Sequence, residues 1–141
     1  MNLLRLLLAA LAAFVAYMVT GALVFSLFPS LKTEFQKYPA VYRDHDGQMS
    51  HMPVGMVGIF VAILTLAVLY AQIYQGGSGL VVGAAFGALI GVFAICTFTL
   101  HNYVNLNIGL KLTVQQSLAY FVLWLVVGIV IGLIYRTPAG H

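Results

Sequence analysis

Asp44, His45, Asp46 and His51 bring two carboxylates and two imidazoles into one short hydrophilic stretch. With His101 as a further donor, they are candidate ligands for zinc, iron or copper, since imidazole and carboxylate both suit these ions. The spacing matches no fixed motif, because two histidines six apart in a loop have no set geometry. The plainer reading is a solvated connection in which Arg43 pairs with a neighbouring acid. His101, at the end of an apolar run, has a second chemistry open to it, axial ligation of a haem or chlorophyll-type pigment. A two-histidine haem needs a partner on a facing helix, and the other apolar runs hold no interior histidine. The alternative is an interfacial histidine bonded to a loop carbonyl. No resident cofactor is therefore expected.

Gln116, Tyr120 and Trp124 follow one another at intervals of four, so on a helix they share a face. They could line one wall of a cavity for a neutral or lipid-like molecule, with His101, Asn102 and Asn105 at its mouth. The competing reading makes Trp124 packing and bonds the polar side chains within the bundle. Ion-coupled carriers keep an ionisable residue inside the membrane, where charge must be bound and released. None of the apolar runs here holds one in its interior. No Ser, His and Asp set shows a nucleophile turn. Acid–base work at the headgroup level by His45 or His51 with Asp44 or Asp46 has no spacing in its favour. The chain is read as non-enzymatic.

These residues must be positioned by helices in lipid. Of 141 residues, 62% are hydrophobic and 6% charged, against roughly 25% charged in soluble domains. Mean hydropathy is +1.03. Between Gly47 and Leu110 there is no Lys, Arg, Asp or Glu. So little charge cannot build a water-facing surface. The net charge of +3 arises from few residues and indicates no nucleic-acid partner. Cys96 is the sole cysteine, which leaves no intrachain disulfide, and its apolar setting predicts a small core residue.

A membrane span needs roughly 20 apolar residues. Four segments qualify, at 3–28, 53–74, 79–100 and 113–135. The first is longer than the apolar core of a signal peptide and is read as a retained helix. Pro53 suits a first helical turn. Gly76 to Gly79 form a turn short enough to demand an antiparallel hairpin. The expected fold is all-α, four antiparallel transmembrane helices in a single bundle, forming one domain over residues 1–141. In the first connection, Ser30 is expected to cap a short helix over Leu31 to Tyr38. Phe35, Tyr38, Val41 and Tyr42 suit the membrane interface. The stretch from His101 to Leu112 alternates apolar residues and is expected to dip back towards the bundle.

Antiparallel spans place both long connections on one surface, with seven of the nine charged residues. The count of basic residues, four against Arg5 and Arg136, favours placing that surface in the cytoplasm, whereas the commoner arrangement of an uncleaved even-span protein keeps both termini inside.

Gly79, Gly83, Gly87 and Gly91 recur at every fourth position, a strip without side chains that allows two helix backbones to touch. Gly128 and Gly132 repeat the device in the last span. Ala9, Ala13, Ala16 and Thr20 follow helical spacing of three and four in the first span, as do Gly55, Gly58, Ala62 and Thr65 in the second. This is more close-packing surface than one bundle needs. The primary expectation is a small protein acting by association, as an accessory or structural subunit of a membrane complex or as a homo-oligomer. Its partners would be lipid and other membrane subunits or a second copy.

The stretch from Gly83 to Gly128 carries GAAFGALIGVF, then HNYVNL, then LKLT. It resembles a family of small bacterial four-helix membrane proteins of unknown function, in which a glycine-rich third helix is followed by an Asn-containing turn and a Lys-Leu-Thr entry to the last helix. That family's acidic residue and Trp-Gly pair early in the last helix are replaced here by Gln116 and by Ala119 and Tyr120. The resemblance implies a bacterial inner-membrane setting and no particular chemistry.

Overall fold

The computed structural model describes residues 2–135. Arg136, Pro138 and His141, on which the expectations about the second terminus rest, lie outside the described residues. Among the described residues all regular structure is helical: α1 (Leu3–Leu27), α2 (Pro29–Gln36), α3 (His45–Ile73), α4 (Gly79–Ala94), a π-helical turn (Ile95–Thr99), α5 (Leu100–Asn105) and α6 (Leu110–Ile134). α4, the π turn and α5 run on as one rod, Gly79–Asn105. That rod, α1, α3 and α6 are each long and apolar enough to cross a bilayer. The protein is a four-helix membrane bundle.

Its composition is inverted relative to a soluble protein. Ala9, Ala10, Ala13 and Ala67 are buried, whereas Leu3, Leu27, Val54, Val81 and Leu89 project outwards. Lipid solvates long apolar side chains as well as the interior does, so helices associate through small residues that let backbones approach.

α6 is the hub, lying against α4 on one side and α1 on another, with α3 packed on α1. Phe14 and Phe60 meet edge to face at 5.6 Å between α1 and α3. α3 and α4 are joined by the tight turn yet meet through side chains, Tyr70 standing edge-on to Phe86 at 5.3 Å. Gly76 and Gly77 make that turn with φ of +106° and +101°, a region closed to most side chains.

The α4–α6 seam is the closest contact. A β-carbon on Gly83 would stand 2.5 Å from the Gly128 carbonyl oxygen, and one on Gly87 would stand 2.6 Å from that of Trp124. A β-carbon on Gly128 would strike the Gly87 Cα, and one on Gly132 the Gly79 carbonyl. The glycine strip therefore faces Gly128 and Gly132 inside the same chain.

Several local expectations are corrected. α3 begins eight residues before Pro53 because Asp44 caps it, accepting the Gly47 N–H at 2.8 Å. Its 29 residues make a rod of about 43 Å at 1.5 Å per residue, longer than the roughly 30 Å hydrocarbon core. The apolar span from Pro53 is thus the inner part of a helix whose first turns are polar. Ser30 does not cap α2; Pro29 opens it, and the Ser30 hydroxyl accepts from Gln115 Nε2 at 3.1 Å. His101 to Asn105 continue the third span as helix rather than dipping inwards, and only Ile108 of the following turn is buried. Cys96 sits in the π turn and is exposed.

Candidate functional site

The polar residues gather at one end of the bundle, where α2 and the connection to α3 fold over the start of α6. Glu34 organises this cap. Its carboxylate is 5% exposed and accepts from Lys37 Nζ at 2.7 Å and from Lys111 Nζ at 2.8 Å. Lys37 is one turn on in the chain, whereas Lys111 belongs to the first turn of α6, so this acid ties the first connection to the last span. Hydrogen bonds from Lys111 and then Lys37 hold the Glu34 carboxyl below the usual carboxylate range, against a smaller opposing effect of desolvation. The Lys37 ammonium is held above its ordinary value by the same contact.

Two tyrosines extend the cap. The Tyr38 hydroxyl accepts the Gly109 N–H at 2.9 Å, and a β-carbon on Gly109 would lie 2.6 Å from that oxygen. Gly109 is therefore small for close approach. The Tyr42 hydroxyl accepts from Gln116 Nε2 at 3.2 Å. Beneath them Leu31, Ile108 and Leu112 form a second small core, flanked by Phe35, Tyr38, Val41 and Tyr42. The expected interfacial aromatics thus pack on α6. The Glu34–Lys111 tie was missed, since helical spacing pairs Glu34 with Lys37 only.

Gln116, Tyr120 and Trp124 lie on one face of α6 as expected. Gln116 and Trp124 are buried and Tyr120 is half-buried. Trp124 packs on Tyr17 of α1 at 5.6 Å, and Tyr120 packs on Phe98 of the π turn at 5.4 Å. Gln116 Oε1 and Trp124 Nε1 are buried with no hydrogen-bond partner in the protein. The expected mouth is divided, however. His101 and Asn105 are exposed on α5, with Asn105 Nδ2 bonded back to the His101 carbonyl at 2.8 Å, and Asn102 is half-buried. Gln116 instead faces Tyr42 of the first connection.

The candidate metal ligands sit in the first two turns of α3, all exposed. Asp44 is engaged as the helix cap. His45 Nδ1 lies 3.4 Å from Asp46 Oδ1, and His51 Nδ1 lies 2.8 Å from the Gly47 carbonyl oxygen. Among the described residues no three His, Cys, Asp or Glu side chains converge on a point that could hold a metal ion.

Ser117 adds a further polar contact at the π turn. Its hydroxyl lies 2.8 Å from the Thr113 carbonyl oxygen and 3.1 Å from Thr99 Oγ1. Thr99 in turn donates to the Ile95 carbonyl at 2.9 Å. Such wide turns are frequent at functional positions in helices. Here the turn brings Phe98 against Tyr120 and Thr99 against Ser117.

Two hollows open at the polar end. A small apolar one of about 150 Å³ lies beside Val24, Leu31 and Leu118, with Gln115 at its edge. The other, of about 740 Å³, lies between the end of α1, α2 and the start of α3. Comparison with protein-family models, curated proteins and solved structures finds no match to this chain.

Proposed function

We propose that the protein is non-enzymatic and acts by association within the membrane, as an accessory or structural subunit of a larger complex or as a homo-oligomer, and that α3 is the helix that associates. One observation carries this reading. Along the outer half of α3, from His45 to Gly58, every residue is exposed except the partly covered Gly47. Within that half, a β-carbon on Gly55 or Gly58 would meet nothing within 4 Å. The glycines of α4, by contrast, are occupied by α6. A bare small-residue face in lipid favours a second helix at close range. The bacterial inner membrane implied by the resemblance is the setting this reading takes.

Mild-detergent extraction from the native membrane followed by size separation tests it. The protein is expected to migrate above monomer size, and Gly58→Leu is expected to shift it towards the monomer. A wild-type protein that migrates as a monomer under conditions that preserve other membrane complexes would defeat the reading.

A second reading, a carrier or binder of a small neutral or lipid-like molecule, is favoured by the unpartnered Gln116 Oε1 and Trp124 Nε1. Binding or flux that survives substitution of both Gln116 and Asn102 would count against it.

A further inference from the structure

The larger hollow carries both an aromatic wall and charge. Its wall is continuous: Phe25 of α1 lies 6.0 Å from Phe35 of α2, and Phe35 meets Tyr42 edge to face at 4.7 Å. Tyr42 is held in turn by Gln116. Lys32 and Arg43 are also among its lining residues.

The charge inventory of this end singles out those two cations. Four basic residues stand on the two connections. Lys37 and Lys111 are both paired with Glu34. Lys32 and Arg43 have no ion pair among the described residues, and both line the cleft. The one acid in the lining, Asp44, is engaged by the Gly47 N–H as the cap of α3. The Arg43 backbone is fixed by Gln48, whose Nε2 donates to its carbonyl at 2.7 Å. The cleft therefore carries two cations without an ion pair beside an aromatic wall that begins on the exposed Phe25, with the capping carboxylate of Asp44 also on its lining.

We propose that this cleft binds one anionic membrane lipid, its headgroup phosphate held by Lys32 and Arg43 and the upper part of an acyl chain lying along Phe25 and Phe35. At about 740 Å³ the cleft falls within the usual range of ligand sites, roughly 300–1,000 Å³. The lipid-exposed Phe25 favours an amphiphile that enters from the bilayer over a soluble anion arriving from water. Phosphate and guanidinium or ammonium groups form charge-assisted hydrogen bonds well matched in geometry. The site is separate from the open face of α3 at Gly55 and Gly58, so it stands or falls independently of the association reading.

Native mass spectrometry of the full chain in a neutral detergent tests the proposal, with phosphatidylglycerol and phosphatidylcholine of identical acyl chains as probes. The expected result is one retained phosphatidylglycerol with a preference of about tenfold or more over phosphatidylcholine, the order two basic side chains supply at a membrane surface. Lys32→Gln combined with Arg43→Gln should abolish the preference while leaving the lipid-free melting temperature unchanged, since neither side chain pairs within the described fold. Equal retention of the two lipids, or a preference that survives the double substitution, overturns the proposal. A third arm adds inorganic phosphate at millimolar concentration. If it displaces the lipid completely, the site recognises a soluble phosphate and the lipid assignment fails; persistence of the bound lipid supports it.

Discussion

Two glycine faces with the same spacing logic have opposite fates in this molecule. Gly83 and Gly87 lie against Gly128 and the Trp124–Leu125 backbone so closely that a single added carbon would collide with main chain. Gly55 and Gly58 look onto empty space. A small-residue pattern therefore marks a helix face as available for close approach without saying which helix approaches. In the first case the partner is another span of the same chain. In the second, no described residue lies against the two glycines, and the association proposed above would place assembly on α3 and stability at the seam.

The largest expected effect comes from the seam. Gly87→Leu and Gly128→Leu force backbone apart where no flexible side chain can yield. Overpacking typically costs about 1–3 kcal/mol, and these two should reach or exceed the upper end, read as a large fall in melting temperature in detergent. A small fall would mean that α4 and α6 are less tightly joined than their backbones indicate. Gly58→Leu supplies the contrast. It should leave the melting temperature of the dispersed monomer unchanged while altering the size of the assembled species; equal destabilisation by Gly58→Leu and Gly87→Leu would erase the distinction between the two faces.

The cap at the polar end sharpens the comparison, because it is fastened by side chains where the seam is fastened by backbone. Glu34 has a folded-state pKa below its unfolded value, so its contribution to stability is fully present above the unfolded value, about 4.3, and is lost as pH falls through the folded one. Wild-type stability should decline on acidification through that window. Glu34→Gln should be less stable at neutral pH and should lack the part of the acid decline that Glu34 causes. An unchanged pH profile in this variant would show that the two lysines do not depend on the charge. The smallest effect is expected from Tyr42→Phe, which removes one hydrogen bond to Gln116 and should cost about 1 kcal/mol without changing assembly.

Much of this was legible in the sequence. The near absence of charge between Gly47 and Leu110 and the length of the apolar runs identify four spans, and the period-four glycines in the third identify its buried face. What periodicity cannot supply is pairing across the chain. Gly128 and Gly132 were visible as a small-residue pair, but nothing local assigns them to α4. The same limit hid Lys111 as the second partner of Glu34 and Gly109 as the partner of Tyr38. The early start of α3 was misread for a different reason: Pro53 is a strong helix-start signal, and it outweighed Asp44, which stands immediately before the acidic first turn that caps the real beginning. The candidate metal residues were sought in a loop and are found on a helix, where Asp44 and His51 are already engaged by the backbone.

The seam between α4 and α6 also imposes an order of events during synthesis. α4 is made before α6, and its neighbour in sequence, α3, does not cover the glycine strip. At roughly 5–20 residues per second, the strip faces lipid for a few seconds before Gly128 and Gly132 arrive to fill it. During that interval the newborn chain carries an unclaimed groove of bare backbone.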